Sequence, residues 1–98
     1  MLVNVVKKGE IVSLRLSTGE ELVGTLKEDE LESKGYVVIE QPLIVGRSEK
    51  GFGLMPYMMT LQPEASAKIT QAHIMTMAAT MEEVAKGYKK QTSKIVSI

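Results

Sequence analysis

The chain has 98 residues, with 12 Lys and Arg against 12 Asp and Glu, and no cysteine. That length holds one domain with a modest core, because a chain of this size buries only about 60 to 68% of the surface it exposes when unfolded. Balanced charge excludes a bulk electrostatic pull towards nucleic acid or acidic membrane, and the lack of cysteine excludes a disulfide framework, a thiolate metal site and a cysteine nucleophile.

The opening residues Leu2, Val3, Val5 and Val6 are interrupted by Asn4 and closed by Lys7, Lys8 and Gly9. The apolar run is too short for a secretory signal and its charge lies on the wrong side. No stretch approaches the ~18 apolar residues that span a bilayer. The expected setting is cytoplasmic, with no membrane partner.

From Ile11 to Ser17 the chain alternates, with Val12, Leu14 and Leu16 on one side and Ser13, Arg15 and Ser17 on the other, the period of a half-buried strand. Thr18 and Gly19 turn the chain. Glu20 to Glu28 then sets Leu22, Gly24 and Leu26 against Val23, Thr25 and Lys27, completing a hairpin. Gly24 in mid-strand permits a bend, a bulge or the close approach of another backbone. Glu28, Asp29, Glu30 and Glu32, followed by Ser33, Lys34 and Gly35, predict a solvated acidic loop.

Tyr36 to Val45 is the most β-prone segment and predicts a long bent strand, or two short ones, with Pro42 at an edge or bulge. Gly46 to Gly53 reads as a hairpin loop, Phe52 to Leu61 as a fourth strand interrupted by Pro56, and Lys68 to Met77 as a fifth. A helix is predicted from Thr80, which with Glu83 matches a capping box. Its apolar stripe is Met81, Val84, Ala85 and Tyr88, and Glu82, Glu83, Lys86, Lys89 and Lys90 take the wet side. The division is therefore a β unit over 1–79, then a helix with an apolar tail (Ile95, Val96, Ile98) over 80–98 that docks on that unit or on a neighbouring subunit.

Few residues carry chemistry. His73 is the sole histidine and has no carboxylate among its close sequence neighbours, so it reads as a structural or surface imidazole. The acidic run lacks the glycine-turned spacing of a calcium loop. No catalytic residue, metal site or cofactor is expected. The methionines, Met55, Met58, Met59, Met75, Met77 and Met81 among them, are expected to fill core gaps, with some facing outward at a contact between subunits. The cations available to a nucleic acid are Arg47 and Lys50, and the late-helix group Lys86, Lys89, Lys90 and Lys94.

The segment from Val12 to Glu30 resembles the first motif of the Sm-like (LSm) family, through Val12, Leu14, Leu16, Gly19, Val23, Gly24, Leu26 and Asp29. The resemblance implies a small, strongly bent, five-stranded antiparallel barrel shaped by Gly19 and Gly24, assembled with copies of itself into a ring by edge-strand pairing. Two family features are missing: the asparagine that follows the acidic residue, and the Arg-Gly or Lys-Gly pair of the second motif, where this chain reads Lys68 to Met77. With its helix after the strands, the chain looks more like the divergent Sm-like proteins of bacteriophage and marine viral origin. The implied role is a non-catalytic assembly or protein-interaction protein, or alternatively a ring that binds RNA or single-stranded nucleic acid through a surface the family does not use.

Overall fold

The computed structural model describes residues 6–62 and 64–96, with side chains as far as Ser93. The protein is mainly β. Its elements are β1 (Ile11–Leu16), β2 (Glu21–Glu30), β3 (Tyr36–Ser48), β4 (Gly51–Pro56), β5 (Ser66–Thr70), a short 3₁₀ turn (Gln71–His73), β6 (Ile74–Ala79) and a C-terminal helix α1 (Glu82–Val96). All pairings are antiparallel. The six-stranded sheet runs β4-β3-β2-β1-β6, and β5 also pairs with β3.

The alternation in β1 and β2 settles which way each strand faces. Val12, Leu14, Leu16, Leu22 and Leu26 form the main core with Val37, Ile39 and Ile69, while Val23 faces the opposite side, beneath the helix. Gly19 takes a left-handed backbone, φ 104°, in the turn that joins β1 to β2, a conformation glycine adopts without the penalty a Cβ would bring.

Gly24 answers a different demand. In the ladder between β2 and β3, Val23 faces Leu43 and Thr25 faces Glu40. Gly24 thus stands opposite two residues, Gln41 and Pro42, in a β-bulge. The bulge reverses the inside-outside alternation of β3: Val37 and Ile39 point into the main core, whereas Leu43 packs under the helix. A Cβ at position 24 would overlap Cγ2 of Ile39 and lie 3.2 Å from the Glu40 carbonyl oxygen. Only a hydrogen fits there.

Several sequence expectations are corrected. The predicted fifth strand breaks at Gln71–His73 into β5 and β6, giving six strands, and the sheet does not close into a barrel: β5 pairs with β3 and β6 with β1. The expected loop over Gly46 to Gly53 narrows to a turn at Glu49 and Lys50, with Ser48 paired to Gly51. The predicted fourth strand stops at Pro56. The acidic residues Glu28, Asp29 and Glu30 belong to β2, paired with Val38, Val37 and Tyr36, because the β-prone start of β3 supplies a partner ladder.

The helix crosses the face opposite the main core. Val84 and Tyr88 bury themselves against Val23 and Leu43, with Ile11, Val45 and Leu54 around them. The predicted stripe is half right, since Met81 precedes the helix and is exposed. Thr80 does not cap the helix through its hydroxyl. Its N–H donates to the Ile11 carbonyl at 3.2 Å and its Oγ1 pairs with Oγ of Ser13 at 2.8 Å, tying the helix entry to β1. The side chains of the tail, Ile95, Val96 and Ile98, lie outside the described residues.

Candidate functional site

The bulge in β3 is the least ordinary point of the backbone. Gln41 has φ 50°, the one non-glycine residue with positive φ among those described. A backbone held there costs of the order of 1–3 kcal/mol and persists only where its surroundings enforce it. Tyr88 supplies the enforcement. Its hydroxyl donates towards the carbonyls of both Glu40 (2.8 Å) and Gln41 (3.0 Å), and accepts from Thr25 Oγ1 at 3.3 Å. Burial pushes the Tyr88 phenol above its ordinary value of 10.0; the nearby Glu40 charge acts in the same direction and the Thr25 hydrogen bonds oppose it. The hydroxyl is therefore a neutral donor at physiological pH.

On its far edge β3 is served by two strands, β5 before the bulge and β4 after it. Between Pro56 and Ser66 the chain leaves the sheet. It departs through a hydrogen bond from Tyr57 N–H to the Pro42 carbonyl (3.3 Å) and returns as the Ala65 carbonyl accepts from Gln41 N–H (3.0 Å). Residues 57–62 lie beside the bulge and line with it a partly open hollow of about 370 Å³, formed by Gln41, Pro42, Leu43, Pro56, Tyr57, Met58, Met59, Leu61 and Gln62. None of these residues is charged. The Nε2 of Gln41 is buried without a hydrogen-bond partner among the described residues, an omission that ordinarily costs about 1–3 kcal/mol. Tyr57 and Met58 also form part of the wall of a second, more open hollow beside Lys68, Thr70 and His73.

The methionines mostly face outward, against the expectation that they fill the core. Met59 is 92% exposed, Met75 68% and Met55 58%, with Met58 and Met81 also exposed, and Met77 alone of these packs on the core. Met55 lies on β4 and Met75 on β6, the two strands at opposite ends of the sheet order. Phe52, also on β4, is 46% exposed.

The predicted nucleic-acid contacts fall on two elements. Arg47 is the last but one residue of β3 and Lys50 is in the adjoining turn. Lys86, Lys89 and Lys90 lie on α1, all exposed, and the side chain of Lys94 is outside the described residues. Among the described residues the ion pair is Arg15–Glu21, at 3.4 Å, so Arg47, Lys50, Lys86, Lys89 and Lys90 are held by no described carboxylate. His73 ends the 3₁₀ turn, exposed, with Nδ1 3.5 Å from Ser17 Oγ. Among the described residues no three His, Cys, Asp or Glu side chains converge as a metal site would require. Nor is any helix among them long and apolar enough to cross a membrane.

Gln41 and Tyr57 escaped sequence reasoning. The available signal was the Gln41-Pro42 pair: proline removes a ladder donor and restricts the residue before it, which marks a bulge but not the burial of the glutamine amide. No protein-family model matches this chain, and no curated protein matches it.

Proposed function

We propose that this protein is a non-catalytic, Sm-like oligomeric assembly protein whose subunits join through their sheet edges. The observation that carries the reading is the pair of edges left unpaired among the described residues. β4 and β6 end the strand order, and each presents backbone hydrogen-bonding groups beside exposed large apolar side chains, Phe52 and Met55 on one and Met75 on the other. An exposed apolar edge is a template for a further strand. Two different edges joined head to tail repeat from subunit to subunit and close as a ring when the rotation permits.

The Sm-like reading treats β4 and β5 as two halves of one interrupted strand along β3, with β6 as the fifth strand returning to β1. The Gly24 bend and the three-residue turn between β5 and β6 support it. The alternative is a ring that binds RNA or single-stranded nucleic acid through Arg47, Lys50 and the helix lysines; the exposure of Arg47, Lys50, Lys86, Lys89 and Lys90, without carboxylate partners among the described residues, favours it.

Light scattering on a sizing column separates these readings. Assembly predicts a mass several times the 10.8 kDa of one chain, unaltered by a short uridine-rich RNA at low salt. A mass that rises with RNA selects the alternative, and a monomer overturns both.

A further inference from the structure

We propose that reversible oxidation of Met55 and Met75 to methionine sulfoxide controls assembly, an inference that rests on the edge-pairing reading above. The chain has 7 methionines and no cysteine, so thioethers are its sulfur targets for an oxidant, and exposure decides which of them react first. Met55 stands exposed on β4 and Met75 exposed on β6, the two strands that end the sheet order. In the ladder between β1 and β6, Arg15 faces Thr76 and Leu16 faces Ile74, which leaves Met75 as the extra residue of a bulge. Met77, two positions on, packs against the main core instead. One strand thus carries a thioether open to an oxidant and another that the fold shelters.

The step transfers two electrons from sulfur to hydrogen peroxide. The thioether sulfur attacks one peroxide oxygen, an S–O bond forms as the O–O bond breaks, and the departing hydroxide takes the proton of the new S–OH group, leaving sulfoxide and water. A flexible apolar side chain becomes a polar one. Head-to-tail joining of β4 to β6 puts one Met55 and one Met75 at every joint, so an oxidised subunit carries a sulfoxide oxygen at both of its edges, and burying that oxygen without a donor opposes association. Leucine would make either edge as apolar without this response. A methionine sulfoxide reductase supplied with a dithiol regenerates the thioether, the dithiol becoming a disulfide and the oxygen leaving as water.

The test treats the full chain with hydrogen peroxide and follows sulfoxide position by peptide mass spectrometry, assembly by light scattering and the fold by thermal melting. Sulfoxide is expected at Met55 and Met75, and at the exposed Met58, Met59 and Met81, with Met77 spared. Association should weaken about tenfold or more to give a folded single chain, and methionine sulfoxide reductase with dithiothreitol should restore the assembled mass. The double variant Met55→Leu with Met75→Leu should stay assembled through the same treatment, whereas Met58→Leu, Met59→Leu and Met81→Leu together should leave the response intact. An unchanged mass after peroxide overturns the proposal, whether or not both edge methionines have oxidised, as does dissociation of the double variant by peroxide or a response that the triple variant abolishes. The unmodified chain and the triple variant carry the test even if the double variant does not assemble. Loss of the melt together with the mass assigns the effect to the core and equally overturns it. A chain already monomeric before peroxide refutes edge pairing itself, so the two failures give different results.

Discussion

The hydroxyl of Tyr88 lies 2.8 Å from the carbonyl oxygen of Glu40, so α1 grips the sheet at the point where β3 breaks register. Tyr88→Phe keeps the buried ring and removes the donor, leaving the Glu40 and Gln41 carbonyls without it. The expected cost is about 1–3 kcal/mol, and each kcal/mol lowers the melting temperature of a domain this size by roughly 4–8 °C. A thermal melt that does not move would show that the bulge holds without the helix.

The same group gives stability a dependence on alkaline pH. Because the native phenol titrates above 10.0, there is an interval in which the unfolded chain has lost a proton that the native chain keeps. Fewer protons on the unfolded state mean that stability falls as pH rises. The contribution of protonated Tyr88 is thus whole below pH 10.0 and is lost as pH climbs through the raised native value. Melts of the unmodified chain and of Tyr88→Phe from about pH 9 to about pH 11 should show the gap between them narrowing only in the upper part of that range.

Two glycine substitutions should have opposite signs. Gly24→Ala forces a methyl into Ile39, an overpacking that costs about 1–3 kcal/mol. Gly87→Ala places its methyl in open space on the helix, where alanine is favoured by roughly 0.5–1 kcal/mol. Chemical denaturation of both variants measures the contrast, and a neutral Gly24→Ala would refute the close approach.

Val84 is buried between the helix and the sheet beside Val23 and Leu43. Val84→Asp brings a carboxylate into that apolar layer with no cation to meet it, so its melting temperature should drop by at least several degrees. An unchanged melt would mean that the helix does not dock as described.

For assembly, the informative positions are exposed ones. Met55→Lys and Met75→Lys each place a charge on a free edge, the device by which natural sheets prevent edge-to-edge pairing. Either variant should elute at the 10.8 kDa of a single chain and melt as a folded domain. Reversal of Lys89 and Lys90 to glutamate should leave the assembled mass unaltered, while it weakens RNA binding at low salt if the alternative reading holds.

The faces of β1 and β2 were legible because alternation at period two is a direct record of which side is buried, and Val12, Leu14, Leu16, Leu22 and Leu26 all lie where that period puts them. Gly24 was legible as a bend for the same reason, as a small residue in an otherwise regular row. The break at Gln71–His73 was not, since the segment alternates straight through it; the turn is imposed by pairing β5 to β3 and β6 to β1. The outward methionines were misread because composition reports how much apolar matter a chain has, not how much of it the core can hold. The bulge hid its own effect on packing: Leu43 and Ile39 share a parity in the sequence and occupy opposite layers in the fold.

The position of β1 between β2 and β6 also governs the order in which the molecule can be built. During synthesis the meander from β1 to β3 is available early, but β1 keeps a bare edge until Ile74–Ala79 has been made, and Val23 and Leu43 face water until α1 follows. Closure between distant parts of a chain is the slow step in β-rich folding. A ribosome stalled before β6 therefore holds a nascent sheet open along a strand that the finished protein pairs on both sides.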